Sequence, residues 1–172
     1  MAGSTSLSSR RGLGGFAALL GGALMVVSVF LPWFSAGGVS FTGWDSVSTE
    51  LTEIRSTGAF YQSPTFTTTP GEFSPFFTGL SILIAGVLLV LIGLAMMASL
   101  RGGAFRLPAL GQFILAILAI VIAVVGVTNL ASLYATRDPA SFAAEYGLFV
   151  LTGGAIIGFL GGCLGFLGDG KS

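Results

Sequence analysis

The side chains that perform most enzymatic chemistry are scarce in this sequence. It has no His and a single Cys. Without His, the commonest general base and metal ligand is missing, and a haem held by His is excluded. One Cys cannot form a disulfide within the chain. Cys163 stands among Gly161, Gly162 and Gly165, where a small buried apolar-like residue is expected. Asp45, Glu50 and Glu53 bring three carboxylates close in sequence. A Ca²⁺ site needs about six to eight oxygens at a defined spacing, so this set reads as a solvated acidic face. Arg101-Gly102-Gly103 lacks the Lys-Ser/Thr ending of a phosphate-cradling loop and reads as a tight turn. The expectation is no catalytic residue, no cofactor, no metal and no enzyme activity.

Proton relays and coupled transporters place ionisable groups inside membrane spans. The apolar stretches here contain none; their polar residues are Ser28, Ser81, Gln112, Thr128, Asn129, Ser132 and Thr152. Asn129 is the only Asn in the chain. Its amide is a candidate polar contact across helices, with a polar cavity beneath the outer segment as the alternative. Gln112 falls near the inner end of its stretch, within reach of the interface.

These residues need elements to carry them. The chain of 172 residues is 53% hydrophobic and 8% charged, with a mean hydropathy of +0.95. A soluble domain carries about 25% charged residues. The formal net charge is zero, so nothing steers a polyanion and no nucleic-acid partner is expected. Four stretches free of Asp, Glu, Lys and Arg are long enough to cross a bilayer: 12–31, 75–100, 107–134 and 146–167. They are continuous apolar runs rather than short alternating ones, which selects helices over a barrel. Ser74-Pro75 is a cap residue followed by Pro at the first helical position, and Pro108 opens the third stretch similarly. Pro32 ends the first stretch. Trp33 follows it, at the depth where aromatic belts sit. Gly168 suits the end of the fourth.

Basic residues set the orientation. Arg10, Arg11, Arg101, Arg106 and Lys171 all flank one side, which is then cytoplasmic together with both termini. Asp45, Glu50, Glu53, Glu72, Asp138 and Glu145 fall on the other side. Ser9-Arg10-Arg11-Gly12-Leu13 resembles a twin-arginine signal, but no small-residue cleavage site follows the apolar run. An uncleaved first span is expected.

Apolar helices in lipid associate by close backbone approach at small residues. Gly14, Ala18 and Gly22 lie four apart in the first span, and Gly154, Gly158 and Gly162 four apart in the fourth. Gly79, Gly86 and Gly93 lie seven apart in the second. Ala116, Ala119, Ala123 and Gly126 form a seam in the third. Spacing by four allows a right-handed crossing and spacing by seven suits a left-handed one. Packing within the bundle is the leading expectation for Gly154, Gly158 and Gly162; contact with a membrane-protein partner or a second copy is the other.

The segment 33–74 is long for a plain connection and carries Arg55 against Asp45, Glu50, Glu53 and Glu72. Trp44, Val47, Leu51 and Ile54 share one helical face, and Thr42 is placed to cap that helix, a short amphipathic helix expected to lie on the outer leaflet or on top of the bundle. A strand pair or an irregular lid is expected from Gly58 to Gly71. Trp33 and Trp44 are the candidate anchors of this segment.

Leu31-Pro32-Trp33-Phe34-Ser35, followed by Gly43-Trp44, resembles a group of small bacterial four-span membrane proteins common in actinobacteria. Glu145-Tyr146-Gly147-Leu148 and the pairs Gly153-Gly154 and Gly161-Gly162 are similar to the last span of that group. The resemblance implies a four-span topology and supplies no activity. The layout also resembles the claudin type in architecture, but the outer segment has no Cys pair.

The fold expected is thus all-α: residues 1–172 as one integral membrane four-helix bundle with a small extracytoplasmic cap. It sits in a bacterial cell (inner) membrane, with both termini cytoplasmic. The expected role is a non-enzymatic accessory or scaffolding subunit in contact with the lipid bilayer. The alternative is a channel or carrier for a small neutral or lipid-like solute.

Overall fold

The computed structural model describes residues 3–36, 39–45, 47–48, 51, 79–99, 114 and 142–169. Three helices dominate them: α1 (Gly3–Val29), α2 (Gly79–Ser99) and α3 (Tyr146–Asp169). Each contains a window long and apolar enough to cross a membrane: Gly12–Val29, Gly79–Ala98 and Tyr146–Leu164. The third expected span, 107–134, and Asn129 within it lie outside the described residues, Ile114 apart.

α1 runs further toward the N-terminus than its apolar stretch. Nine residues precede Gly12 as helix, roughly 13 Å at 1.5 Å per residue. No Pro interrupts them, and a helix once nucleated propagates through residues of middling propensity. Its other end is set by Pro32, which biases Leu31 away from helical geometry. The last turn tightens accordingly: Phe30 N–H donates to Val27 O at 3.0 Å and Leu31 N–H to Ser28 O at 3.1 Å.

Beyond α1 the mostly helical fold adds a small sheet. β1 (Pro32–Ala36), β2 (Val39–Thr42) and β3 (Phe142–Ala144) form an antiparallel sheet in the order β2-β1-β3. β1 and β2 pair Ala36 with Val39, Ser35 with Ser40 and Phe34 with Phe41. The two residues between Ala36 and Val39 are Gly37-Gly38, a dipeptide suited to a two-residue hairpin loop. The register shifts between Pro32 and Phe34. A bulge of this kind bends the strand and re-aims a side chain, here Trp33. β3 pairs with the other edge of β1, Phe34 against Ala144 and Ala36 against Phe142. The end of α1 is thereby tied to the start of α3.

α1 is the central helix. α2 and α3 each pack along it and touch each other only lightly, with Leu89 of α2 laid over Gly158 of α3. Both run antiparallel to α1. Toward α2, Gly15 of α1 meets Gly93, and one heptad further Gly22 meets Gly86. Toward α3, Gly14 meets Gly161 and Gly21 meets Gly154. Every row steps by seven, which is the repeat of left-handed packing. Toward α3 the expected four-spaced residues take part as well: Gly21 lies against both Gly154 and Gly158, and Gly161 against both Gly14 and Ala18. Larger side chains fill the layers between: Met25, Ile82, Leu89, Leu148, Leu151 and Ala155 are buried together.

The closeness is measurable at Gly21. A methyl there would lie 2.5 Å from Gly158 N and 2.6 Å from Gly154 O, both backbone atoms that cannot swing aside. At Gly153, on the same helix as Gly154, nothing described lies within 4 Å of such a methyl. Gly21→Ala is therefore expected to destabilise the fold by about 1–3 kcal/mol through overpacking. Gly153→Ala should change stability by less than about 1 kcal/mol. Denaturant unfolding in detergent micelles checks both; equal effects would contradict this packing.

Candidate functional site

The most constructed region lies where α1, α3, the sheet and the segment after β2 converge on Trp33. The bulge in β1 turns this indole inward, and Trp33 is 2% exposed. Its Nε1–H donates to Ser28 O at 2.7 Å. That carbonyl belongs to the last turn of α1, where helical partners run out. It accepts from Leu31 N–H as well. Two glycines enclose the ring: a methyl at Gly43 would lie 2.5 Å from Trp33 Cζ2, and one at Gly147 would lie 2.9 Å from Cδ1. Gly79, at the start of α2, is pressed against the Gly43 carbonyl and Val47. Glu145 N–H donates to Trp33 O at 2.9 Å, and Glu145 O accepts from Leu148 N–H at 3.2 Å in the first turn of α3. Trp33 thus ties the end of α1 to the start of α3, and Gly43, packed on its ring, meets the start of α2.

Thr42 caps a helical turn that begins at Gly43, as expected. Its Oγ1 accepts from Asp45 N–H at 3.3 Å, while Asp45 Oδ2 accepts from Thr42 N–H at 2.7 Å and from Thr42 Oγ1–H at 2.8 Å. This is a reciprocal capping box with Asp at the third position. The backbone N–H of Thr42, then its hydroxyl, hold the Asp45 carboxyl below the ordinary aspartate pKa. Val47 of that turn is buried, whereas Trp44 is 44% exposed and Leu51 is exposed. The expected Trp44/Val47/Leu51 face is therefore not buried as a unit. Trp44 instead stacks on Phe30, with ring centroids 5.3 Å apart at 25°.

Gly154, Gly158 and Gly162 are all buried. Gly154 meets Gly21, Leu24 and Met25; Gly158 meets Gly21 and Leu89. The contacts of Gly154 and Gly158 lie within the bundle. Ser28 Oγ–H donates to Met25 O at 2.6 Å and Thr152 Oγ1–H to Leu148 O at 2.9 Å. Both hydroxyls are bonded back into their own helix. Cys163 is half-buried. Among the described residues no three His, Cys, Asp or Glu side chains are gathered as a metal site would need. Glu50, Glu53 and the expected strand pair at 58–71 lie outside the described residues.

The chain matches no protein-family model, no curated protein sequence and no solved structure. Its functional reading therefore rests on its own residues. Gly43, Gly79 and Gly147 are the site residues that sequence reasoning missed. The signal for Gly147 was present: Gly147, Gly154 and Gly161 are spaced by seven.

The two Trp residues have unequal structural weight. Trp33→Ala should cost about 3–5 kcal/mol, the usual loss for a buried large aromatic. Trp44→Ala should cost no more than about 1.5 kcal/mol, the scale of one aromatic pair. Chemical unfolding of the two variants in detergent decides this, and a larger loss for Trp44→Ala would contradict the assignment.

Proposed function

We propose that this chain is a four-span protein of a bacterial cell membrane that serves as a non-enzymatic accessory or scaffolding subunit of a membrane complex. The fourth span in this reading is 107–134. α2 ends beside the start of α1, and α3 begins at the opposite, capped end. In this reading the chain from 100 to 141 links those two ends. The uncharged apolar stretch at 107–134 has the length and composition for that crossing. The basic residues flanking α1, α2 and α3 at the uncapped end support cytoplasmic termini and an extracytoplasmic cap.

The observation that carries the scaffold role is the build of α1. Glycine rows pin it to α2 and α3, and its remaining side presents Leu13, Phe16, Leu20, Val27 and Phe30, all exposed. These residues fall at the three-and-four spacing of a heptad seam. A helix locked by its neighbours and offering a continuous apolar ridge costs little further ordering when a second membrane helix packs on it.

Affinity purification of a C-terminally tagged chain from native membranes, in mild detergent, tests the role. A second protein is expected in stoichiometric amount. Phe16→Ala/Leu20→Ala, which trims the ridge and leaves the glycine rows intact, should lose it while the chain stays folded. A lone monomer, or a homo-oligomer with retained lipid, would contradict the subunit role and favour a carrier for a neutral or lipid-like solute.

A further inference from the structure

We propose that Trp44, stacked on Phe30, anchors the cap in the phospholipid headgroup layer of the leaflet on that side of the membrane. Depth comes first. Phe30 directly follows the apolar window Gly12–Val29, at the end of the stretch able to span the hydrocarbon. The stack fixes Trp44 at that level. Tyr146 opens the apolar window of α3 at the same end of the bundle and is 55% exposed. Three exposed aromatic residues therefore stand at the capped end of the bundle, where an interfacial belt would lie.

The surroundings of Trp44 fix what covers it. Below, Phe30 continues the exposed apolar ridge of Leu13, Phe16, Leu20 and Val27, a surface that only lipid or an apolar partner can cover. Beside it stand Asp45 and Ser48, both exposed and bonded within the capped turn. Asp45 is ionised at neutral pH and must stay hydrated. The boundary of the hydrocarbon thus passes between Phe30 and Asp45, and Trp44 straddles it. An indole suits that position, with an apolar body and one N–H. Among the described residues the ring's contact is the Phe30 stack, and no acceptor meets its N–H. A lipid carbonyl or phosphate oxygen can take that proton. The same position explains why a stacked aromatic pair is left on the outside of the protein while Trp33 is buried.

The inference rests on the membrane-spanning reading, and the test separates the two. The purified full chain is reconstituted into phosphatidylcholine vesicles; flotation with the vesicles establishes insertion. Trp fluorescence is then quenched with lipids brominated near the carbonyl, with lipids brominated near the chain end, and with aqueous acrylamide. The chain has two Trp, so the component lost in Trp44→Phe belongs to Trp44. Trp33→Phe reads the same component directly if the first variant misfolds. The expected result is strong quenching of Trp44 by the shallow bromines, weaker quenching by the deep ones and little by acrylamide. Trp33 should resist all three. Quenching by acrylamide without shallow-bromine quenching would put the cap in water and overturn the proposal. No quenching by any agent would mean that protein covers Trp44, and would overturn it equally.

Discussion

Backbone-to-backbone contact along α1 is the constraint on which the other features depend. Between apolar helices in a bilayer there is no water to expel, so association draws on close packing. α1 carries Gly14-Gly15 and, one heptad on, Gly21-Gly22. In each pair one glycine faces α3 and the other faces α2. The doubled glycine lets two partners approach a single helix at the same height. Gly86 and Gly93 on α2, and Gly154 and Gly161 on α3, answer at the same spacing. A side chain in any of these rows would meet a backbone atom of the facing helix.

The cap follows from that register. With α1 fixed between α2 and α3, the end of α1 stands beside the start of both. Pro32 stops the helix, β1 begins, and the bulge drops Trp33 into the space where the three helix ends meet. Gly43, Gly79 and Gly147 make that space narrow enough to be filled by one indole and the backbone around it. β3 then adds main-chain hydrogen bonds between the beginning of α3 and the end of α1. Among the described residues, that end of the bundle is closed by a buried aromatic and a small sheet.

Three of the four expected apolar stretches coincide with described helices, and 107–134 lies outside the described residues; the three were legible because hydropathy and length are local. The stretch expected at 12–31 contains the window Gly12–Val29, and that expected at 146–167 contains Tyr146–Leu164. Pro32 as a stop and Thr42 as a cap were legible for the same reason. The choice between rows was not. Of the four-spaced Gly14, Ala18 and Gly22, the first two flank Gly161 of α3 while Gly22 turns to Gly86 of α2, and only the facing helices decide that division. The sheet was hidden because β3 lies more than a hundred residues from β1, and the Gly37-Gly38 signal stood in a segment read chiefly for helix. Trp33 and Trp44 looked equivalent as anchors. The bulge that buries one and the stack that leaves the other outside are both tertiary.

The central claim, a specific antiparallel heptad register on α1, is tested most directly by a double-mutant cycle for Gly22→Ala and Gly86→Ala. A methyl at Gly22 would lie 2.7 Å from Gly86 O, and one at Gly86 would lie 3.1 Å from Gly22 O. Once either forces the helices apart, the second should cost less, giving a coupling of about 0.5–3 kcal/mol. Gly22→Ala combined with Gly161→Ala, on the other face of α1, should be additive within about 0.5 kcal/mol. Additive losses for Gly22 and Gly86 would contradict the register.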